Sequence, residues 1–295
     1  MDGHKISTLS EYLNAIEVLK KHYPCGIWGN PISNHFLYRG LPNSTFKLLP
    51  SLFRKQEDEV DGKKIVNDKY RAWTDEISIL RTFILEASSV LSVPTNQLCQ
   101  WAVYAQHYGV PTRFLDWTYN PLVALYFCCH DQIDEMDGTV WLFHGINYKK
   151  FLGAHEKQEE NKLPGDIIKD LLEQKSDIEH PLLYTPYYVD ARTSAQKSCF
   201  LVWGKNEAEL EAQLSDEKYA MKYPDVSASE RCYGVHQEEA LLFKFVIPAD
   251  RKQLLLRELD TVGINEKTLF PGLDGTGRYI EHKYRFNYNE VLSII

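Results

Sequence analysis

Residues 105–127 read AQHYGVPTRFLDWTYNPLVALYF and place polar side chains of nearly every hydrogen-bonding type between two apolar segments. Helical spacing of apolar residues predicts a helix over Leu98–Tyr108, which ends before Pro111. Thr112–Trp117 is typical of a short extended segment. A polar stretch held between two buried elements must satisfy its own hydrogen-bonding groups or those of a ligand. Residues 105–127 therefore decide both the fold and the site.

A second helix is predicted directly after the polar stretch. Pro121 suits the first position of a helix, and Thr118 or Asn120 can cap it. The segment Leu122–His130 is apolar nearly all round, so we expect this helix to be buried.

Shorter patterned segments predict the remaining elements. Strands are expected at Phe36–Arg39, Gly138–Gly145, Cys199–Trp203, Leu241–Ile247 and Lys283–Tyr288. Helices are expected within residues 1–30 and at Thr74–Val90, Glu207–Met221 and Arg251–Leu259. The fold class is therefore α+β: an N-terminal helical segment (1–30) and a single core domain (31–295), in which helices flank a small mixed or antiparallel sheet.

Two charged stretches are expected to form polar insertions in that core. Residues 147–185 are rich in lysine and glutamate and contain one apolar cluster, so they predict an exposed insertion with one helix. Residues 205–232 form the second insertion.

Composition excludes several classes of protein. The chain has 33 Lys and Arg against 41 Asp and Glu, and the net charge of −8 argues against a nucleic-acid binder that relies on bulk charge; a local basic cleft stays open. The longest apolar run, Leu122–Cys129, is far shorter than the roughly 18 residues of a membrane span. Because Met1–Ser10 lacks the apolar region of a signal peptide, we expect a cytoplasmic protein without membrane contact.

The six cysteines point to free intracellular thiols. They have no CxxC spacing, and the ten histidines form no ligand-spaced pair with them. We therefore expect no metal.

Three polar residues are the first candidates for chemistry. Arg39 ends a strand before Gly40, and a guanidinium group fits carboxylate or phosphate oxygens; the alternative is a structural ion pair. The glycine allows either a ligand or a backbone to approach closely. His107 can act as a general base near neutral pH, or as a hydrogen-bonding core residue. Asp116 can face a ligand, accept backbone N–H groups or pair with Arg113.

Two aromatic residues of the run are candidates for binding a flat ring. Tyr108 and Trp117 can hold a base or a nicotinamide between them, although core aromatics need no ligand. The sequence contains no GxGxxG motif, no P-loop and no GxSxG motif, so Rossmann, Walker and hydrolase-elbow chemistries lack support.

The run and its flanking motifs resemble the FRG domain, a family named for a Phe-Arg-Gly motif. This chain has Tyr38-Arg39-Gly40, and residues 106–127 are similar to the family's central motif. Further similar pieces include Leu49–Arg54, Glu76, Phe83, Arg192, Ala195-Gln196, Phe200 and Leu269–Gly275. The resemblance covers about residues 30–280.

A weaker resemblance connects the chain to Arg-Ser-Glu ADP-ribosyltransferases, and it implies a similar fold. By this resemblance Arg39 holds the phosphates of NAD and Thr118 stands where the serine supports the first strand. Gln196 replaces the first acidic residue of the Glu-x-Glu strand. Ser198, however, stands where the catalytic glutamate belongs, and a hydroxyl cannot supply its negative charge. Either Asp116 or a distant glutamate such as Glu266 substitutes, or the fold binds a nucleotide without this chemistry.

These resemblances imply an NAD-dependent enzyme that acts on an unknown acceptor, protein or nucleic acid, in the manner of a toxin or defence effector. Its catalytic residues would be His107, Asp116 and Thr118, and its NAD-binding residues would be Arg39, Gly40, Tyr108, Arg113, Trp117 and Gln196. Two alternatives stay open: a non-catalytic nucleotide-binding module, and a protein-interaction module whose motif is a buried structural network.

Overall fold

A seven-stranded sheet organises the part of the chain that this computed structural model describes, namely residues 3–22, 36–60, 63–69, 72–91, 93–130, 135–156, 162–187, 190–214 and 241–292. Its strands are β1 (His4–Lys5), β2 (Phe36–Leu41), β5 (Phe114–Thr118), β6 (Gly138–His144), β7 (Leu182–Tyr184), β8 (Ser198–Val202) and β9 (Leu242–Ile247). Their order is β1-β9-β6-β2-β5-β8-β7, and every neighbouring pair except β1 and β9 is antiparallel.

A separate hairpin and a set of helices complete the described ranges. The hairpin joins β3 (Lys55–Val60) to β4 (Lys63–Asp68). The helices are α1 (Leu9–His22), α2 (Ala72–Ala87), α3 (Leu98–His107), α4 (Pro121–His130), α5 (Gly145–His155), α6 (Pro164–Leu172), α7 (Ala191–Ala195), α8 (Leu210–Gln213), α9 (Lys252–Thr261), α10 (Glu266–Leu269) and α11 (Leu273–Leu292). No helix in these ranges is both long enough and apolar enough to cross a bilayer.

Side chains that alternate along the strands divide the core between the two faces of the sheet. Along β2, Phe36 and Tyr38 join one apolar cluster, whereas Leu37 and Leu41 join another. The first cluster receives α1, α4 and α9. A third cluster, on the same face as the first, packs α2, α3 and α6 against β5 and β8. On the opposite face, the cluster of Leu37 and Leu41 receives α5, α8 and the segment 48–53. Both faces of the sheet are thus covered, and the fold is α+β with flanking helices, as predicted.

The central run folds as its pattern predicts. Helix α3, strand β5 and helix α4 follow one another with boundaries close to the expected ones, and Pro121 is the first residue of α4. The Asn120 side chain accepts the N–H of Leu122, at 3.0 Å, as a cap. Six of the ten residues of α4 are buried, which agrees with its uniformly apolar sequence.

Gly40 lets α4 lie directly against β2. A Cβ atom at this position would stand 1.9 Å from the carbonyl oxygen of Ala124 and 2.6 Å from the backbone nitrogen of Cys128. Both are backbone atoms of a packed helix, so neither can move aside cheaply. Of the two roles that the sequence left open for this glycine, close approach of a backbone is the one observed.

One expectation about secondary structure is wrong, and another can be compared with the structure only in part. The strand expected at Lys283–Tyr288 is part of α11. Aromatic residues alternate with polar ones in this segment, which imitates a strand, but the helix that begins at Leu273 continues through it. The helix expected at Glu207–Met221 is limited, among the described residues, to Leu210–Gln213, and residues 215–221 lie outside them.

The segment 147–185 is not the exposed insertion with one helix that its charge predicts. It contains most of α5, all of α6 and the edge strand β7, which pairs with β8. Tyr148, Ile168 and Leu171 are fully buried. The frequent lysines and glutamates obscured the amphipathic pattern, because they lie on the outer faces of helices whose inner faces enter the core. Most of the other expected insertion, residues 215–232, lies outside the described residues.

Candidate functional site

A cleft of about 350 Å³ opens where β2 and β5 separate, and residues of α3, α4, α7 and β8 also line it. This volume falls in the range of small-molecule sites, roughly 300–1,000 Å³. Strands β2 and β5 bridge only at Tyr38 and Thr118, and Thr118 pairs in turn with Ser198 on β8. Three neighbouring strands therefore present Tyr38, Thr118 and Ser198 in one row at the cleft.

Arg39 lies one residue beyond the bridge, at the point of separation. Its Nη1 donates to the main-chain carbonyl of Asp116 and stands 3.9 Å from that residue's carboxylate. Its Nε is buried and has no hydrogen-bond partner among the described residues. Burial lowers the pKa of Arg39 to about 10, although Asp116 opposes the shift. The guanidinium is still charged at neutral pH, and it is incompletely satisfied.

Two further arginines line the cleft, Arg54 and Arg192. The Arg192 guanidinium stacks on Phe270, 4.7 Å from the ring centre, and its buried Nε also lacks a partner in the described ranges. Among the described residues that line the cleft, Asp116 is the one carboxylate. Three guanidinium groups against a single carboxylate leave an excess of positive charge.

Asp116 is held by polar neighbours and remains half exposed. Gln106 Nε2 donates to its Oδ2 at 2.5 Å, and Gln106 Oε1 accepts from the Thr112 hydroxyl at 2.6 Å. Its side chain is 53% exposed, so one face of the carboxylate can still meet a ligand. Glu266, the other carboxylate considered as a substitute, does not line the cleft.

His107 lines the cleft and pairs weakly with Asp190, at 3.4 Å. Burial lowers its pKa below the ordinary value, and the positive charge of Arg192 acts in the same direction; Asp190 and Asp116 oppose the shift. The imidazole is therefore neutral at pH 7 and can accept a proton.

Thr118 holds two strands together beside the cleft. Its hydroxyl donates to the carbonyl of Gln196 at 2.6 Å and accepts the N–H of Asn120 at 3.0 Å. With both of these bonds made, the hydroxyl orients β5 against the start of β8. Gln196 also lines the cleft, and its amide donates to the carbonyl of Leu269 at 3.1 Å.

Trp117 and Gly40 line the cleft, whereas Tyr108 and Arg113 do not. Trp117 is buried, and its indole N–H has no partner among the described residues. Tyr108 is 62% exposed outside the cleft, so it does not form the expected pair with Trp117.

Arg113 lies behind the cleft rather than in it. It is 1% exposed, and its Nε stands 2.8 Å and 3.0 Å from the two carboxylate oxygens of Glu76. Its Nη1 donates to the carbonyl of Trp203 at 2.9 Å. These bonds tie α2 and the end of β8 to the start of β5. The role of Arg113 is therefore structural.

The lining residues that sequence reasoning omitted from the site include Gln106, Arg54 and Arg192. All three stand in motifs through which the chain resembles the FRG domain, so membership of a motif was the signal that could have found them. Arg54 and Arg192 are 138 residues apart, and neither lies in the central run.

Comparison with known proteins gives one positive result. The family model described as the FRG domain matches residues 34–137, which include β2, β5 and α4. A search of curated proteins and a search of solved structures found no match. Arg192, Gln196 and Ser198 lie beyond the matched range, so the model covers less than the resemblance over residues 30–280. The chain is therefore similar to the FRG domain over residues 34–137.

Proposed function

We propose that the cleft binds NAD and that the protein cleaves its nicotinamide–ribose bond to transfer ADP-ribose to an acceptor. The excess of cationic charge in the cleft carries this proposal. Arg39, Arg54 and Arg192 all line the cleft, and a dinucleotide diphosphate offers the oxygens that guanidinium groups bind.

The strand arrangement supports NAD over other phosphorylated ligands. Arg39, Thr118 and Ser198 stand on three adjacent strands, in the order that the resemblance to Arg-Ser-Glu ADP-ribosyltransferases implies. Thr118 links β5 to β8 by its bond to Gln196, which is the supporting role expected of the motif's serine. A nicotinamide ribose near this row would lie close to the cleft's one described carboxylate.

Two residues of the cleft suit two parts of the reaction: Asp116 suits charge stabilisation and His107 suits proton transfer. As the bond between ribose C1′ and the nicotinamide nitrogen breaks, positive charge develops on the ribose, and the Asp116 carboxylate can stabilise it. The acceptor then attacks C1′ and loses a proton. Neutral His107 is the cleft residue suited to receive that proton.

A second candidate is a module that binds NAD without cleaving it. Ser198 brings no charge to the position of the missing glutamate, and Asp116 is already engaged by Gln106 and lies near Arg39. Such a module would bind NAD through the arginines but would lack the negative charge that stabilises the transition state of cleavage.

Nicotinamide release from NAD tests the proposal, with Arg39→Ala as the disabling variant and Arg81→Ala as the matched control. Arg81 is an exposed arginine on α2 outside the cleft. We expect release by the native chain and by Arg81→Ala, and none by a folded Arg39→Ala. A rise in melting temperature with NAD but no release would select the binding module. If the native chain shows no nicotinamide release and no thermal shift with NAD, NAD is refuted as the ligand.

A further inference from the structure

Three side chains converge on a second site, apart from the cleft. They are His130 at the end of α4, Glu266 at the start of α10 and His282 within α11, and none of them lines the cleft. One ligand atom from each lies within 4.8 Å of the others. Because 136 residues separate the first two in sequence, no spacing motif could reveal the cluster.

The donor atoms face one another around the Glu266 carboxylate. His130 Nδ1 lies 3.3 Å from Glu266 Oε1, and His282 Nδ1 also contacts that oxygen. The two imidazoles meet edge to face with their centres 5.4 Å apart. Glu266 is 7% exposed, so its carboxylate is largely shielded from solvent.

We propose that His130, Glu266 and His282 bind one divalent transition-metal ion, with Zn²⁺ the best fit. Two imidazole nitrogens and one carboxylate oxygen are ligands that zinc prefers. Zinc bonds of about 2.0–2.1 Å place tetrahedral donors about 3.3 Å apart, the separation already present between His130 and Glu266. The third donor atom lies within 4.8 Å of the other two, so the imidazoles must rotate for all three to reach one ion.

The surroundings complete the site. A cavity of about 270 Å³ adjoins it and is lined by Glu266, His282 and Tyr126, which leaves room for a water molecule as the fourth ligand. The Tyr126 hydroxyl lies 2.8 Å from His130 Nδ1 and can turn to such a water when the metal takes that nitrogen. This open position differs from a structural zinc site closed by four thiolates.

The metal would fasten α11 and α10 to the buried helix α4. Helix α4 also lines the cleft through Val123, Ala124 and Phe127, and Phe270 at the end of α10 carries the stacked Arg192. A metal here therefore fixes the wall of the cleft without touching its ligand. The expectation of no metal rested on cysteine spacing, which does not bear on a site built from histidines and a glutamate.

Metal binding is tested on the full chain after removal of metal with a chelator. Titration with Zn²⁺ should load one equivalent and raise the melting temperature. Glu266→Gln and His282→Gln should lose both effects. His180→Gln is the matched control, because His180 also pairs with a glutamate, Glu156 at 2.6 Å, but lies outside the cluster, and this variant should behave as the native chain.

Co²⁺ gives a readout that does not depend on whether a variant folds. Bound to the native chain, it should produce the visible absorption of a four-coordinate ion, and one equivalent of Zn²⁺ should displace it. Failure of the native chain to take up either metal would overturn the proposal, as would equal uptake by His282→Gln. Arg39→Ala should bind metal normally, which separates this test from that of the proposed function.

Discussion

Arg113 and Glu76 form a buried ion pair in which the guanidinium Nε contacts both carboxylate oxygens. The pair stands directly behind the cleft and joins α2 to the residue that precedes β5. Arg113 therefore serves the motif as an anchor for the strand that carries Asp116 and Thr118.

Removal of one partner should be costly. Glu76→Ala leaves a buried guanidinium uncompensated, and such a loss costs about 3–5 kcal/mol. We expect the free energy of unfolding, measured with urea, to fall by this amount. Exposed Glu86→Ala, on the same helix, is the control and should change it by less than about 0.5 kcal/mol. A loss below about 1 kcal/mol for Glu76→Ala would contradict the anchoring role.

Gly40→Ala should destabilise the fold through a clash with α4. Its Cβ would meet the carbonyl of Ala124, so β2 and α4 must move apart. Overpacking of this kind costs about 1–3 kcal/mol. Gly277→Ala is the matched control, since its added methyl group meets nothing within 4 Å and alanine favours the α11 helix. Equal unfolding midpoints for the two variants would show that the clash is absorbed without cost.

Arg192→Ala should weaken NAD binding. A hydrogen bond to a charged group contributes about 1.5–3 kcal/mol, which corresponds to a loss of affinity of roughly tenfold to a hundredfold. Calorimetric titration of Arg192→Ala and of the exposed Arg81→Ala measures the difference. An unchanged Kd in a folded Arg192→Ala would show that this guanidinium does not bind the ligand.

Asp116→Asn should separate binding from cleavage. The amide keeps the shape of the side chain but removes the charge that would stabilise the transition state, so nicotinamide release should fall by about 10²–10³-fold. NAD affinity should stay the same or improve, because a negative charge leaves a cationic cleft. Full activity of this variant would show that a different group supplies the negative charge.

Folding stability should decline as the pH falls through the titration of His107. Its pKa is lowered in the folded chain, so just below the ordinary value of 6.5 the unfolded state binds more protons than the folded state. Stability then rises with pH across that window, by less than about 1.4 kcal/mol per pH unit, the slope for one whole proton. His107→Gln should flatten this part of the profile in urea titrations. The same slope in both chains would assign the effect to other groups.

The sequence predicted the secondary structure of residues 98–130 well, but it failed for the segments 147–185 and 283–288. Helix α3, strand β5 and helix α4 are governed by local signals such as Pro121 and the Asn120 cap, which act over a few residues. The position of Arg113 could not be predicted, because Glu76 and Trp203 reach it only through the tertiary fold.

The net charge of the cleft also depends on the tertiary fold and could not be predicted from the sequence. Arg39 was found from its place at the end of the predicted strand, before a glycine, although β2 continues through both residues to Leu41. The excess of positive charge around it became visible only when Arg54 and Arg192 were brought to the same cleft.

The single bridge between Tyr38 and Thr118 divides the large sheet into two leaves, one of four strands and one of three. Arg39 belongs to the four-stranded leaf. Asp116 and Ser198 belong to the three-stranded leaf, and Gln196 lies two residues before its strand β8. A molecule in the cleft therefore spans a seam, and the angle between the leaves sets the separation of the groups that hold it. Substitutions deep in either leaf can change affinity through this angle, even where they touch nothing in the cleft.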